Sequence, residues 1–357
     1  MKMNKTYCSN GAKHITELIS EAIRNGTNTA VVTGNWEIDT AVRLPSNFTL
    51  VLDGCHLKMA DGCYSNLFVN EHHDTEEGKT TQGTDRNISI IGKNGAVLDG
   101  GNYNGLSERT QLQNGLPPIW KNNLIFFANV DGFEISNIAC HNQRWWALNF
   151  IYCSNGVLKD IHFQACDIGI DKDGNLYHGL KLSRYEEVLI KNADGIDLRQ
   201  GCHDISIENI FGFTEDDSVA LTALDGDIER HFTVAGLPKD ICNITIKNVA
   251  TAAFCTNVRL LNQDGICLHD IHVDGVFDAS ENSPHMERGI YGVRVGDTRL
   301  YGNCYSTSNQ TYNITIKNVR SRGLYAIGLA GAMSNIVLEG IEGFDGAERL
   351  LDDRTKD

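Results

Sequence analysis

Two short acidic phrases, 23 residues apart, are the first feature of this sequence that could carry a reaction. Ala193-Asp194-Gly195-Ile196-Asp197-Leu198 aligns with Asp216-Asp217-Ser218-Val219-Ala220-Leu221. If one coil of a regular fold takes up that interval, Asp194 and Asp217 stack at the same point of neighbouring coils and Asp216 flanks them. Three carboxylates at such range cannot all ionise freely, so at least one pKa rises toward neutrality. Glycosidic bond cleavage uses that division: a protonated carboxyl for the leaving oxygen, and an ionised one to activate water or attack the sugar. A lone Asp would more simply cap a turn; an adjacent pair in register with a third points to catalysis. Strict alternation would turn Asp194 and Asp217 inward with Ile196 and Val219, so both are expected in the turn before the strand.

Other residues could hold a substrate. Val258-Arg259-Leu260 and Val293-Arg294-Val295 align, so the guanidinium groups of Arg259 and Arg294 are expected on one face of adjacent coils, where they could clamp a carboxylate or sulfate. Trp146-Ala147-Leu148-Asn149-Phe150 aligns two coils before Asp194. One of Trp145 and Trp146 is expected to floor a sugar subsite by stacking, and the other to pack in the core. His72-His73-Asp74 lacks further ligands at metal spacing, so neither a metal nor another cofactor is expected.

The elements that must position these residues announce themselves as a repeat. Phe133-Glu134-Ile135-Ser136-Asn137-Ile138 returns as Ile205-Ser206-Ile207-Glu208-Asn209-Ile210, Ile244-Thr245-Ile246-Lys247-Asn248-Val249, Ile266-Cys267-Leu268-His269-Asp270-Ile271, Ile314-Thr315-Ile316-Lys317-Asn318-Val319 and Ile336-Val337-Leu338-Glu339-Gly340-Ile341. A second phrase alternates with it: Gly195-Ile196-Asp197-Leu198, Ser218-Val219-Ala220-Leu221, Asn257-Val258-Arg259-Leu260, Gly292-Val293-Arg294-Val295 and Ala326-Ile327-Gly328-Leu329. Strands this short cannot bury their aliphatic faces alone, but stacking successive units along an axis does so. The expected fold is therefore all-β, a single-stranded right-handed parallel β-helix, with its shortest coils, Ile246 to Leu268 and Ile316 to Leu338, 22 residues long. Only 5 Pro in 357 residues suits such ladders. Ile15, Leu18, Ile19, Ala22 and Ile23 lie at helical spacing between His14 and Asn25, which predicts one amphipathic helix at about 14–25 closing the end of the stack. The whole of 1–357 reads as one domain, with the reactive coils at about 178–300 and polar insertions at about 71–86 and 99–122.

Charge and composition narrow the partners. Lys plus Arg is 31 against 46 Asp plus Glu, a formal charge of −15, which repels polyanions and argues against a nucleic-acid partner. No apolar stretch approaches the roughly 20 residues of a membrane span. The polar start, Met1 to Thr6, lacks a secretory apolar segment, so cytoplasmic residence is expected. The 11 cysteines are odd in number and include no CxxC pair; thiols such as Cys140 and Cys267 are expected to be reduced and mostly buried.

These motifs resemble those of the family 28 glycoside hydrolases, the polygalacturonases and their relatives. Asn192-Ala193-Asp194 is similar to the Asn-Thr-Asp motif of that family, and Glu215-Asp216-Asp217 to its Asp-Asp pair. Arg230-His231-Phe232 is similar to its histidine segment with both glycines replaced, Val258-Arg259-Leu260-Leu261 to its Arg-Ile-Lys at arginine only, and Tyr291-Gly292-Val293 to its tyrosine-bearing strand. The resemblance runs over roughly 14–345 in order. It implies a right-handed parallel β-helix, with Asp216 as general acid and with Asp194 and Asp217 holding and deprotonating the attacking water. It further implies that His231 tunes the acid or touches the sugar, and that Asn192, Arg259 and Tyr291 contact substrate. Leu261 stands where the family lysine receives a galacturonate carboxylate, which puts polygalacturonan cleavage in doubt and leaves Arg294 as a replacement. An inverting enzyme would hold its acid and base ~6.5–9.5 Å apart.

The expected activity is thus hydrolysis of a uronic-acid- or rhamnose-containing oligosaccharide, with exo action if the insertions wall off the groove. Two alternatives stay open from the residues alone. One is a β-helix lyase or epimerase using Arg259 with His231 as base. The other is a non-catalytic glycan-binding solenoid whose acids are turn chemistry.

Overall fold

The structure is a computed structural model that describes residues 6–101, 118, 120–143, 145–170, 175–181, 193–347 and 349–355. Among them, two long parallel sheets of 12 and 10 strands run the length of the chain as a right-handed β-helix. The first phrase supplies one sheet. Val130–His141, Ser154–Gln164, His203–Thr214, Ile241–Ala253, Leu268–Asp278, Thr311–Ser321 and Ser334–Gly343 pair in sequence order. The second phrase supplies the other, through Leu148–Ile151, Ile196–Arg199, Val219–Ala223, Thr256–Asn262, Tyr291–Gly296, Tyr325–Gly331 and Arg349–Thr355. Each strand turns alternate aliphatics inward, and Ile207, Ile246, Val273 and Ile316 are fully buried in one continuous core.

Register follows the second phrase throughout: Ile196, Val219, Val258, Val293 and Ile327 pair in turn. The first phrase departs once. Ile246 pairs with Val273, not Leu268, so that coil is longer than 22 residues and its inward phrase is Ile271-His272-Val273. Leu268 begins the same strand, and apolar alternation alone cannot tell the two placements apart. The coil from Ile316 to Leu338 is as expected. A second correction concerns Trp146-Ala147-Leu148. Leu148 pairs directly with Ile196, one coil before Asp194 rather than two. The extra length holds an antiparallel hairpin, Ile168–Ile170 with Leu176–His178, and residues outside those described.

The corners of the coil explain the Asn and Asp that punctuate the repeat. Asn209, Asn248 and Asn318 sit at φ 60, 54 and 54°, a left-handed conformation that Asn tolerates and branched residues do not. Their side chains form ladders between coils: the Asn248 amide donates to Asn209 (3.2 Å) and that of Asn209 to Asp160 (2.9 Å). Gly275, at φ 84°, takes the rung after Asn248.

The N-terminal helix spans Gly11–Arg24 and buries Ala12, Ile15, Ile19 and Ala22 on the open end of the stack. Ile23, expected on that apolar face, points outward and is 52% exposed. Cysteine burial is also less than expected: Cys55, Cys140, Cys153 and Cys202 are buried, Cys267 is intermediate, and Cys8 and Cys304 are exposed. Among the described residues no helix is long and apolar enough to cross a membrane.

Candidate active site

Parallel pairing brings the acidic turns together. The strands Ile196–Arg199 and Val219–Ala223 begin two residues after Asp194 and Asp217, so both acids lie in the preceding turn, freed from strand alternation. Gly195 lets these turns touch: its N–H donates to the Asp217 carbonyl at 3.0 Å, and a Cβ there would meet the Ser218 oxygen at 2.4 Å. The Asp217 N–H in turn donates to the Asp194 carboxylate at 3.1 Å. Asp194, Asp216 and Asp217 all line one groove of about 530 Å³, within the range of ligand sites. Asp197, Arg199, Asp227, Arg259, Trp120, Trp145, Trp146, Leu261 and Tyr301 also line it.

Burial sets the protonation of the acids. Asp194 is pushed well above the ordinary carboxylate range, first by desolvation and then by the charges of Asp197, Asp216 and Asp217. Asp197 rises to about 8, also by desolvation, with Arg199 opposing. Asp217 is raised by burial against the pull of Arg259 and a hydrogen bond from Thr256. Such neighbours lose their protons in steps that belong to the cluster and not to any one residue, and with Asp194 and Asp197 both raised the cluster keeps bound protons into the neutral range.

The sheet face beside these turns carries the second row of groups. Asn149, Asp197, Ala220, Arg259 and Arg294 are consecutive register partners across five coils, which places the two arginines side by side as their spacing requires. Arg259 lines the groove, and its buried Nη2 has no hydrogen-bond partner. The Arg259 Nη1 donates to the carbonyls of Leu260, Arg294 and Gly296, at 3.1, 3.4 and 2.7 Å. Buried Asp297 faces both guanidinium groups, at 3.7 Å from Arg259 and 3.6 Å from Arg294. Arg294 is not among the groove-lining residues.

Other candidates fall in and around the groove. Trp145 and Trp146 both line it, but the Arg199 guanidinium lies over the Trp146 ring, 3.7 Å from its centroid. Trp120, not singled out in the sequence, also lines the groove and stacks on His231 at 4.4 Å. His231 itself ends the short helix Asp227–His231, is hydrogen bonded to Asp74 and stands behind the wall. Tyr291 is turned to the following coils: its hydroxyl donates to Asp352 at 2.7 Å and its ring stacks on Tyr325. Asn192 lies outside the described residues. His72, His73 and Asp74 part company. His72 bonds Asp85, His73 packs on Phe126 and Phe232, and Asp74 bonds His231. No cluster of metal-ligating side chains occurs among the described residues.

Sequence reasoning overlooked Asp197 and Glu229. Asp197 shares the parity and register of Arg259, a signal present in the second phrase. Glu229 left none: it comes from a loop helix, is buried, and bonds Arg199 at 2.7 Å.

The model of glycosyl hydrolases family 28 matches residues 39–236, more than half of the chain. The chain belongs to that family. This family 28 member is accordingly a glycosidase, and the matched span carries Asp194, Asp216, Asp217 and His231, while Arg259, Tyr291 and Arg294 lie beyond it. Solved structures with the same fold include a 1,3-α-1,4-β-D-galactose-4-sulfate-3,6-anhydro-D-galactose-2-sulfate 4-galactohydrolase, at 11% identity and TM-score 0.61, covering 96% of this chain and 85% of that one. An exopolygalacturonase from Thermotoga maritima is 15% identical with TM-score 0.53, covering 97% and 88%. The endo-xylogalacturonan hydrolase from Aspergillus tubingensis is 12% identical with TM-score 0.52, covering 99% and 96%. At such identities the likeness is one of fold. No curated protein matches the sequence.

Proposed function

We propose that this family 28 glycosidase hydrolyses pectin-type oligosaccharides with inversion, in the groove where Asp194, Asp216 and Asp217 converge. The convergence of these three carboxyls on one groove, with the Asp217 N–H donating to Asp194, is the observation that carries the reading. Asp216 gives its proton to the leaving oxygen. Asp194 and Asp217 hold a water on the far side of the sugar, and one of them takes its proton as the oxygen attacks the anomeric carbon. Asp194 is oriented for this by the Asp217 N–H. Trp120 and Trp145 supply faces for pyranose rings. His231 acts through Trp120 and Asp74, as a support of the wall. Pro118 and Trp120, from the second insertion, line the groove, which supports attack from a chain end.

Elimination is less well served. Burial and Arg294 lower Arg259 only to about 10, so it stays a cation at neutral pH, and His231 is engaged by Asp74 outside the groove. Proton NMR of a digest from the first minutes separates these chemistries. Inverting hydrolysis gives a reducing end of opposite anomeric form to the bond cleaved. Retention of that form, or an unsaturated sugar absorbing in the ultraviolet, would contradict the proposal.

A further inference from the structure

We propose that Asp297 is a positioning residue of this groove: it shares the Arg259 guanidinium with Asp217 and so fixes how much of that charge the acid cluster receives. The role rests on the hydrolase reading above and concerns the regulation of the same site. Register brings the groups within reach of one another. Arg259 pairs with Ala220 on one side and Arg294 on the other, and Ala220 lies three residues after Asp217. The strand that carries Arg294 ends at Gly296, and Asp297 follows it directly. From there its carboxylate meets Arg259 Nη2 at 3.7 Å and Arg294 Nη2 at 3.6 Å.

Asp297 is 3% exposed, and a buried carboxylate needs partners. Its two oxygens divide them. Oδ2 accepts from the Gln263 amide, from the Leu300 N–H at 2.7 Å and from the Tyr301 N–H at 3.4 Å, which ties down the loop that brings Tyr301 to the groove. Oδ1 makes no hydrogen bond and is left to the two guanidinium groups. Arg259 is divided in the same way. Its Nη1 goes to three backbone carbonyls, its Nη2 makes no hydrogen bond, and Asp217 and Asp297 both draw on its charge. Asp217 Oδ1 is likewise buried without a hydrogen bond. Charges sheltered from water act on one another strongly. Arg259 draws on Asp217 more than Arg294 does, while Asp194 and Asp197 face it as like charges and Asp216 adjoins it in the chain. Tyr301 faces Asp216, Asp217 and Arg259 from the loop. Asp297 differs from the other acids of this set: it is not among the groove-lining residues, yet it competes with Asp217 for Arg259.

Carboxyl carbon-13 NMR of aspartate-labelled protein reads this competition without substrate, the Asp217 signal being assigned through Asp217→Asn. In Asp297→Asn, Arg259 turns its charge to Asp217, and the Asp217 titration is expected to move to lower pH by about one unit. Where that variant does not fold, the comparison is made in the Arg294→Gln background, in which the loss of Asp297 strips no second arginine of its partner. The double variant is expected to titrate lower than Arg294→Gln by a similar amount. Because Asp217 serves as a base in the hydrolase reading, the acid limb of kcat/KM against pH moves in the same direction. The NMR shift without turnover in the wild type would support the inference and count against hydrolysis. An Asp217 titration unmoved by loss of Asp297, with only a lower melting temperature, would make Asp297 a structural counter-ion and overturn the inference; wild-type turnover would then leave the hydrolase reading standing.

Discussion

After burial, Asp197 is the first charge that sets how Asp194 titrates. It lies between Asp194, whose pKa it raises, and Arg199, which gives its shortest contact to Glu229 and not to Asp197. Replacing Asp197 by Asn removes a like charge from Asp194, so the acid limb of the pH–activity profile is expected to move to lower pH. Stability follows the same logic. Asp194, Asp197 and Asp217 bind protons more tightly folded than unfolded, so their contribution is complete below the unfolded carboxylate range, near ~4, and is lost as pH rises through the raised values. Melting temperature should therefore fall between pH 4 and about 8, the value to which Asp197 is raised, and fall less steeply in Asp197→Asn. An unchanged acid limb and melting slope in that variant would mean that Asp197 is not coupled to the cluster. Much of this chemistry was legible from spacing, because Asp194 and Asp217 needed only one coil of offset to meet. The approach of Asp297 to Arg259 was not, since Asp297 directly follows the strand Tyr291–Gly296, where alternation stops.

At the scale of the element, the coil corners do the positioning. Asn248 holds φ 54° and passes its amide to Asn209, and the next coil puts Gly275 at that rung. Asn248→Gly keeps the backbone and loses one exposed hydrogen bond, whereas Asn248→Val must also force a branched residue into the left-handed region. Urea unfolding is expected to show a loss of about 1 kcal/mol for the first and about 2–3 kcal/mol for the second. Equal losses would remove the conformational argument. Strand identity was plain in the sequence because inward aliphatics repeat with period two. Register was plain wherever the phrase was unique and slipped at Leu268, where an aliphatic at the strand start imitates the inward row. The stretch that holds the hairpin Ile168–Ile170 with Leu176–His178 hid a coil boundary for a different reason: it stretches the interval from Leu148 to its partner Ile196 to 48 residues, about two ordinary coils, while the hairpin joins neither long sheet.

The whole molecule is a stack that needs a lid at the end where its first strands begin. The helix Gly11–Arg24 provides it, with Ile15 fully buried against the first coil. Ile15→Ala is expected to cost about 2–5 kcal/mol by leaving a cavity beneath the helix, and to raise self-association as strand edges become accessible. Denaturant unfolding and size-exclusion chromatography report the two effects. A loss under about 0.5 kcal/mol with unchanged elution would show that the helix does not seal the core.

The long axis also explains why residues far apart in sequence share one groove: each coil adds one rung to the same row, so Asp197 and Arg259 line it together while Asn149 and Arg294 continue the row on either side. The acids in that groove give the most direct measurement, which is turnover by Asp216→Asn alongside its melting temperature and its binding of an oligosaccharide substrate. Removing the proton donor should lower kcat by about 100- to 10,000-fold while melting and binding stay near wild type. Turnover equal to wild type in that variant would contradict the assignment of Asp216 and with it the reaction proposed for the groove.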